Sequence, residues 1–128
     1  MRSMAHTDQY DNLLCQIVGT KEVVLIPHTQ RLYLYTTSTL SHETDSIYHN
    51  MPHHYSPIDF FEPDLKKYPD FAKVKGKYTV TINSGDILYI PAHWFHYVKS
   101  SEGPNFALNF FYSANYMDYL STYFFSEN

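Results

Sequence analysis

Two short segments, far apart in the sequence, carry side chains that could hold a metal ion. His6-Thr7-Asp8 lies near the start of the chain, and His96 lies within the segment Pro91–Val98. In an extended strand the side chains alternate between two faces, so His6 and Asp8 would point to the same side. With His96 from a distant strand they would form a set of two histidines and one carboxylate. Such a set leaves coordination positions open and is typical of non-haem Fe(II) sites.

Any one of these residues taken alone is more often an ordinary polar residue, but the surrounding sequence strengthens the metal interpretation. Four blocks occur in a fixed order between residues 6 and 112, a span of about five-sixths of the chain: His6–Lys21, Glu62–Phe71, Ser84–Val98 and Ala107–Tyr112. In these blocks the chain resembles the Jumonji C (cupin-8) family of Fe(II)- and 2-oxoglutarate-dependent oxygenases. It is most similar to the small hydroxylases of that family, which act on protein side chains or on the wybutosine base of tRNA, rather than to the large histone demethylases.

The resemblance implies that His6, Asp8 and His96 are the Fe(II) ligands and that four further residues line the co-substrate site. The distal carboxylate of 2-oxoglutarate needs a cation if it is buried in a barrel. Lys21, just after the Gly19 turn, matches the lysine of the family; the alternative is a solvated lysine in a turn. Asn12 and Asn109 match positions that line the co-substrate pocket, and Asn109 is expected to be a buried amide because its neighbours are apolar. Ser3 stands where many relatives have threonine.

The resemblance also implies a reaction class. The expected activity is hydroxylation with Fe(II) as cofactor and with 2-oxoglutarate and O₂ as co-substrates. A protein side chain is the favoured substrate, and a modified tRNA nucleoside is second. Two alternatives stay open: a non-catalytic cupin-like module that binds a metal or ligand, and a lectin-like or structural jelly roll.

The elements that must position these residues are mainly strands. Runs of β-branched and aromatic residues predict roughly seven strands, which indicates an all-β fold of the cupin type, a double-stranded β-helix or jelly roll. Gly19-Thr20 is interpreted as a hairpin turn. Residues 36–63 are predicted to be a long loop, whose histidines His42, His49, His53 and His54 fit no compact zinc pattern. A short helical turn from Pro63-Asp64 through Lys67 is expected to stop at Pro69. The predicted strands are Leu13–Val18, Glu22–Ile26, Arg31–Tyr35, Tyr78–Ile82, Ile87–Ile90, His96–Lys99 and Phe106–Phe111.

Composition sets wider bounds. The 128 residues suit one domain, and 13 Tyr and 9 Phe favour a β-rich interior over disorder. The formal charge of −4 offers no general attraction for nucleic acid, so such binding would need a local basic patch. No apolar run reaches membrane-spanning length and the opening residues lack the core of a signal peptide, so we expect no membrane association and an intracellular, cytoplasmic or nuclear location. The single Cys15 fits a reducing compartment.

The two ends of the chain differ from the family pattern. Only five residues precede His6, so the barrel predicted for residues 1–112 is expected to be partial at its N-terminus, either as a fragment or with a wall supplied by a partner. Residues 113–128 are predicted to form a C-terminal amphipathic helix with Ser113 as N-cap. Its apolar stripe comprises Tyr116, Met117, Leu120, Tyr123 and Phe124.

That stripe leads to a prediction on oligomeric state. A homodimer through the C-terminal helix and a helix packed on its own barrel are the two alternatives. If the helix forms a dimer, sedimentation at micromolar concentration will show a species of twice the chain mass, and Leu120→Glu will convert it to monomer. A folded, soluble monomer of the unaltered chain would refute the dimer.

Overall fold

The computed structural model describes residues 2–36 and 55–113. The loop histidines and residues 114–128, with the predicted helix and its dimer contact, lie outside the described residues, and those expectations stay predictions. Within the described part, eight strands form: β1 Ala5–His6, β2 Tyr10–Val18, β3 Lys21–Ile26, β4 Tyr55–Ser56, β5 Tyr78–Ile82, β6 Ile87–Ile90, β7 Phe95–Ser100 and β8 Phe106–Ser113. Two short 3-10 helices, His28–Tyr33 and Pro69–Lys73, complete the elements.

The strands form two antiparallel sheets. One has five strands in the order β4-β1-β7-β3-β5, and the other has three in the order β6-β2-β8. From β5 to β8, consecutive strands alternate between the two sheets. This crossing from sheet to sheet is the pattern of a jelly roll, so the predicted all-β cupin fold is confirmed.

The Gly19-Thr20 turn joins the two sheets, and the hairpin interpretation was wrong. β2 pairs with β6 and β8, whereas β3 pairs with β5 and β7. Gly19 has a φ of +80°, and a Cβ there would lie 2.7 Å from the carbonyl oxygen of Pro104. Glycine is needed because the chain makes a left-handed turn against a neighbouring loop.

Of two other local expectations, one is wrong and one is confirmed. The segment predicted as a strand at Arg31–Tyr35 is mostly the 3-10 helix His28–Tyr33, because Pro27 has no N–H to extend the ladder of β3 and its carbonyl accepts from the N–H of Gln30 at 3.0 Å. The turn before Pro69 forms as predicted, with the N–H of Tyr68 donating to the carbonyl of Asp64 at 2.8 Å. Pro69 then begins a 3-10 helix, where a missing N–H costs nothing.

The apolar side chains form two cores. One lies between the sheets and contains five buried residues: Leu14, Val23, Leu25, Ile82 and Ile90. The other covers the outer face of the five-stranded sheet, where Val24, Ile26, Phe95 and Tyr97 meet residues of the loops and 3-10 helices, with Phe60 at its centre. β3 is therefore buried on both faces, which explains why its sequence lacks alternation.

β8 lies at the edge of the three-stranded sheet and extends further than predicted. It runs to Ser113, the residue expected to cap the C-terminal helix. Its large apolar side chains are about half exposed, among them Phe106 at 53% and Phe111 at 52%. In the described part of the chain, no strand pairs with the outer edge of β8. None of the helices described there has the length and apolar character needed to cross a membrane.

Candidate active site

The two candidate histidines face each other across neighbouring strands. His6 on β1 is the register partner of His96 on β7, and their ring centroids are 4.3 Å apart. Asp8 lies two residues after the end of β1. The pairing of β1 with β7 thus brings together residues that are 90 positions apart, and the structure places all three predicted ligands in one cluster.

The donor atoms of this cluster converge. One ligand atom from each of His6, Asp8 and His96 lies within 4.8 Å of the others. The Nε2 of His96 is 3.3 Å from one Asp8 oxygen, and the Nε2 of His6 is 3.7 Å from the other. These atoms could take places around one ion. His96 is buried, whereas His6 and Asp8 are half-buried.

Backbone carbonyls fix both imidazoles in the orientation that a metal requires. His6 Nδ1 lies 2.7 Å from the carbonyl oxygen of Met4, and His96 Nδ1 lies 3.2 Å from that of Trp94. A carbonyl oxygen can only accept, so each Nδ1 is the donor. In the neutral ring this leaves the lone pair on Nε2, which faces the centre of the cluster. Metal-bound histidines commonly show this second hydrogen bond, so the residues present fit a divalent ion.

His93 supports the cluster without belonging to it. Its backbone N–H donates to the carbonyl of Asp8 at 2.8 Å, and its φ of +66° places it in a left-handed turn. Its ring lies 6.1 Å from that of His28. Burial lowers the pKa of both imidazoles. His93 is not among the residues whose donor atoms converge, so it lies beside the cluster rather than in it.

A cavity of about 350 Å³ adjoins the cluster between the two sheets, within the size range of small-molecule sites. Its wall includes all seven predicted site residues: Ser3, His6, Asp8, Asn12, Lys21, His96 and Asn109.

Lys21 lies at the far end of this cavity. Its register partner on β7 is Ser100, four residues from His96, which is about 13 Å along the strand. A lysine stem and a five-carbon dicarboxylate can together span that separation. Burial lowers the pKa of the Lys21 ammonium. Lys21 shares its face of β3 with Val23 and Leu25 of the core between the sheets, so it points inward rather than into solvent.

The two asparagines meet across β2 and β8. Asn12 Nδ2 donates to Asn109 Oδ1 at 2.9 Å. Asn12 is buried, and its Oδ1 has no hydrogen-bond partner among the described residues, so it can still accept from a bound molecule. The expectation that Asn109 is buried was wrong: it is exposed, because β8 is an edge strand.

Ser3 lines the cavity, and its hydroxyl oxygen already accepts a hydrogen bond. Its Oγ accepts from the N–H of Val98 at 2.9 Å, and its own N–H donates to the carbonyl of Val98 at 2.8 Å. An oxygen that accepts in this way keeps its own proton for donation. Ser3 is therefore placed where a hydroxyl could donate to a carboxylate in the cavity.

Sequence reasoning missed three contributors to this site. The carbonyls of Met4 and Trp94 carry no sequence signal, because backbone acceptors are present at every residue. Ser100, which accepts from the Lys21 ammonium, could have been found because it is an even number of residues after His96 on the same strand.

The comparison with family models identifies the family of the chain. A model described as "Cupin-like domain" matches residues 1–118. The chain belongs to the cupin-like, Jumonji C family. The jelly roll is therefore that of the family which the sequence resembles. It carries the two histidines, the carboxylate and the inward-facing lysine.

Three curated relatives illustrate the range of this family. The human protein named bifunctional peptidase and (3S)-lysyl hydroxylase JMJD7 is 32% identical over 87% of this chain. tRNA wybutosine-synthesizing protein 5 of Gallus gallus is 40% identical over 84% of the chain, and lysine-specific demethylase JMJ31 of Arabidopsis thaliana is 37% identical over 91%. The chain spans 38%, 29% and 20% of the lengths of these relatives, respectively.

Proposed function

We propose that this Jumonji C domain is an Fe(II)- and 2-oxoglutarate-dependent hydroxylase. The observation that carries the proposal is the cluster of His6, Asp8 and His96, with both Nδ1 atoms held by carbonyls and both Nε2 atoms facing one carboxylate. In the overall reaction, substrate C–H, O₂ and 2-oxoglutarate give the hydroxylated substrate, succinate and CO₂. The iron supplies the oxygen chemistry when bound.

The residues of the chain would bind and orient the reactants. His6, Asp8 and His96 would hold the metal and leave the opposite positions open. Lys21 would meet the distal carboxylate of 2-oxoglutarate, and Ser3 would donate to the same group. The Asn12–Asn109 pair would line the side of the cavity between them, where β2 and β8 are paired.

The substrate we favour is a protein side chain. Two of the three relatives' names mention lysine and the third mentions tRNA wybutosine, so the names support placing a protein side chain first. One observation favours tRNA as the second candidate. Five of the nine Lys and Arg residues of the chain lie within residues 66–77, and all five are exposed: Lys66, Lys67, Lys73, Lys75 and Lys77. Such a local basic stretch suits a phosphate backbone.

A non-catalytic binding module is the alternative from another class. The cavity is bordered on one side by β8, whose Asn109 and Phe111 are exposed. A site open to water would still bind a metal and a dicarboxylate. Productive oxidation, however, depends on excluding water from the reacting groups.

An assay of the purified chain with Fe(II), ascorbate and 2-oxoglutarate distinguishes a hydroxylase from a non-catalytic binding module. In the absence of substrate, ascorbate can supply the two electrons that the substrate C–H bond would otherwise supply. We therefore expect succinate with Fe(II) and only background when Fe(II) is replaced by Zn(II), an ion without redox chemistry. The measurement is succinate by mass spectrometry. Binding of both Mn(II) and 2-oxoglutarate without any succinate would identify a binding module instead.

A further inference from the structure

Ser100 on β7 contacts the one lysine that faces the cavity in the described part of the chain. Lys21 Nζ donates to Ser100 Oγ at 2.6 Å, and the two residues are register partners on β3 and β7. Ser100 is also an even number of residues from His96 and Val98, both of which line the cavity. Strand geometry therefore places Ser100 on the same inward row as the metal cluster.

We propose that Ser100 is a positioning residue that aims the Lys21 ammonium at the distal carboxylate of 2-oxoglutarate. This inference rests on the proposed function and deepens it by adding a residue to the part of the site that selects a dicarboxylate. The role acts through Lys21 and requires no contact between Ser100 and the co-substrate.

The chemistry of the pair supports this role. A lysine side chain has a flexible four-carbon stem and loses considerable conformational entropy when fixed. A hydrogen bond made before the ligand arrives removes part of that loss from the binding step. An ammonium has three N–H donors, so one bond to Ser100 leaves two for a carboxylate.

The absence of a competing anion points the same way. Among the residues that the structure describes, no Asp or Glu forms an ion pair with Lys21, whereas the neighbouring Lys99 pairs with Glu22 at 3.4 Å. Burial lowers the pKa of Lys21, and no carboxylate raises that pKa in turn. A hydroxyl at position 100 orients the ammonium but leaves its charge available. A carboxylate at that position would neutralise the charge and compete with the ligand.

Calorimetry on the Mn(II)-loaded chain tests the inference with two ligands. 2-Oxoglutarate carries the distal carboxylate, and 2-oxopentanoate is a five-carbon 2-oxo acid without it. For Ser100→Ala we expect about tenfold weaker binding of 2-oxoglutarate, since a hydrogen bond to a charged group is lost, and unchanged binding of 2-oxopentanoate. Ser100→Thr, which keeps the hydroxyl and suits a strand, should restore affinity to within about threefold.

Ser101→Ala is the matched control. Ser101 is the next residue, and its Oγ accepts from the N–H of Thr20 and from Asn105 Nδ2, each at 3.2 Å. This variant therefore loses serine hydrogen bonds on the same strand but not the one to Lys21. It should bind both ligands as the unaltered chain does. Equal 2-oxoglutarate affinity in Ser100→Ala, or equal weakening of both ligands, would overturn the positioning role while leaving the proposed function intact. If the unaltered chain binds Mn(II) but no 2-oxoglutarate, the proposed function fails and this inference fails with it.

Discussion

Replacement of His96 by alanine should abolish stoichiometric binding of Fe(II) or Mn(II). His96 supplies one of three converging donors, and the remaining histidine and carboxylate are too few to hold the ion against water. Substitutions that only disturb the orientation of a ligand typically cost 10–100-fold in affinity, so removal of a ligand should cost at least about a hundredfold. Isothermal calorimetry with Mn(II) under anaerobic conditions measures this loss.

Two further variants separate metal binding from folding. His96 is buried at 5% exposure, so its removal also leaves a gap in the structure. The Asp8 side chain is 32% exposed, and Asp8→Asn removes a charged ligand with little change in packing. It should lose the metal as well. His93→Gly is the matched control, because it removes an imidazole near Asp8, keeps the backbone N–H and suits the positive φ. If His96→Ala and Asp8→Asn both bind Mn(II) as tightly as His93→Gly does, the ligand assignment is wrong.

The membership of the His6, Asp8 and His96 cluster was predictable, but its geometry was not. The alternation of side chains in a strand predicts that His6 and Asp8 share a face, and the resemblance to the family supplied His96. The direct register of His6 with His96 comes from long-range pairing of β1 with β7, which no local pattern specifies. The strand in fact ends at His6, and Asp8 is held by the backbone N–H of His93 instead of by a ladder.

The incorrect prediction of a hairpin at Gly19-Thr20 shows a limit of local sequence patterns. A glycine turn between two β-rich runs looks the same whether the runs pair with each other or belong to different sheets. Only the distant partners distinguish the cases, and for Lys21 these are Ile82 and Ser100. The change of sheet turns the Lys21 side chain into the space between the sheets, where the proposed co-substrate site lies.

The exposure of Asn109 has a similar cause. Apolar neighbours in sequence favour a buried strand, and β8 carries aromatic residues on both of its faces. Burial, however, depends on what lies beside a strand, and the described chain places β2 on one edge of β8 and no strand on the other. Sequence patterning predicts that β8 needs cover, but it does not identify what provides that cover.

Truncation of Lys21 should weaken 2-oxoglutarate binding while leaving the metal in place. The co-substrate's distal carboxylate would then lie in the cavity without a cation, and loss of one partner of an enclosed charge pair typically costs about 3 kcal/mol or more. That corresponds to roughly a hundredfold in affinity at least. Lys21→Met keeps most of the apolar stem and removes only the charge, so it should behave like Lys21→Ala. Calorimetric titration of 2-oxoglutarate into the Mn(II)-loaded variants measures the effect.

Lys99→Ala is the control that makes this result specific. Lys99 is a lysine on β7, beside the register partner of Lys21, but it alternates to the opposite face and pairs with Glu22 in solvent. Exposed pairs of this kind contribute little, so Lys99→Ala should bind 2-oxoglutarate and Mn(II) as the unaltered chain does. If removal of Lys21 leaves the affinity for 2-oxoglutarate within twofold of that of Lys99→Ala, then Lys21 is a structural residue of the turn between β2 and β3. In that case the selectivity for a dicarboxylate would have to come from Ser3 and the asparagine pair, because within the described chain they are the other polar groups on the cavity wall outside the metal cluster.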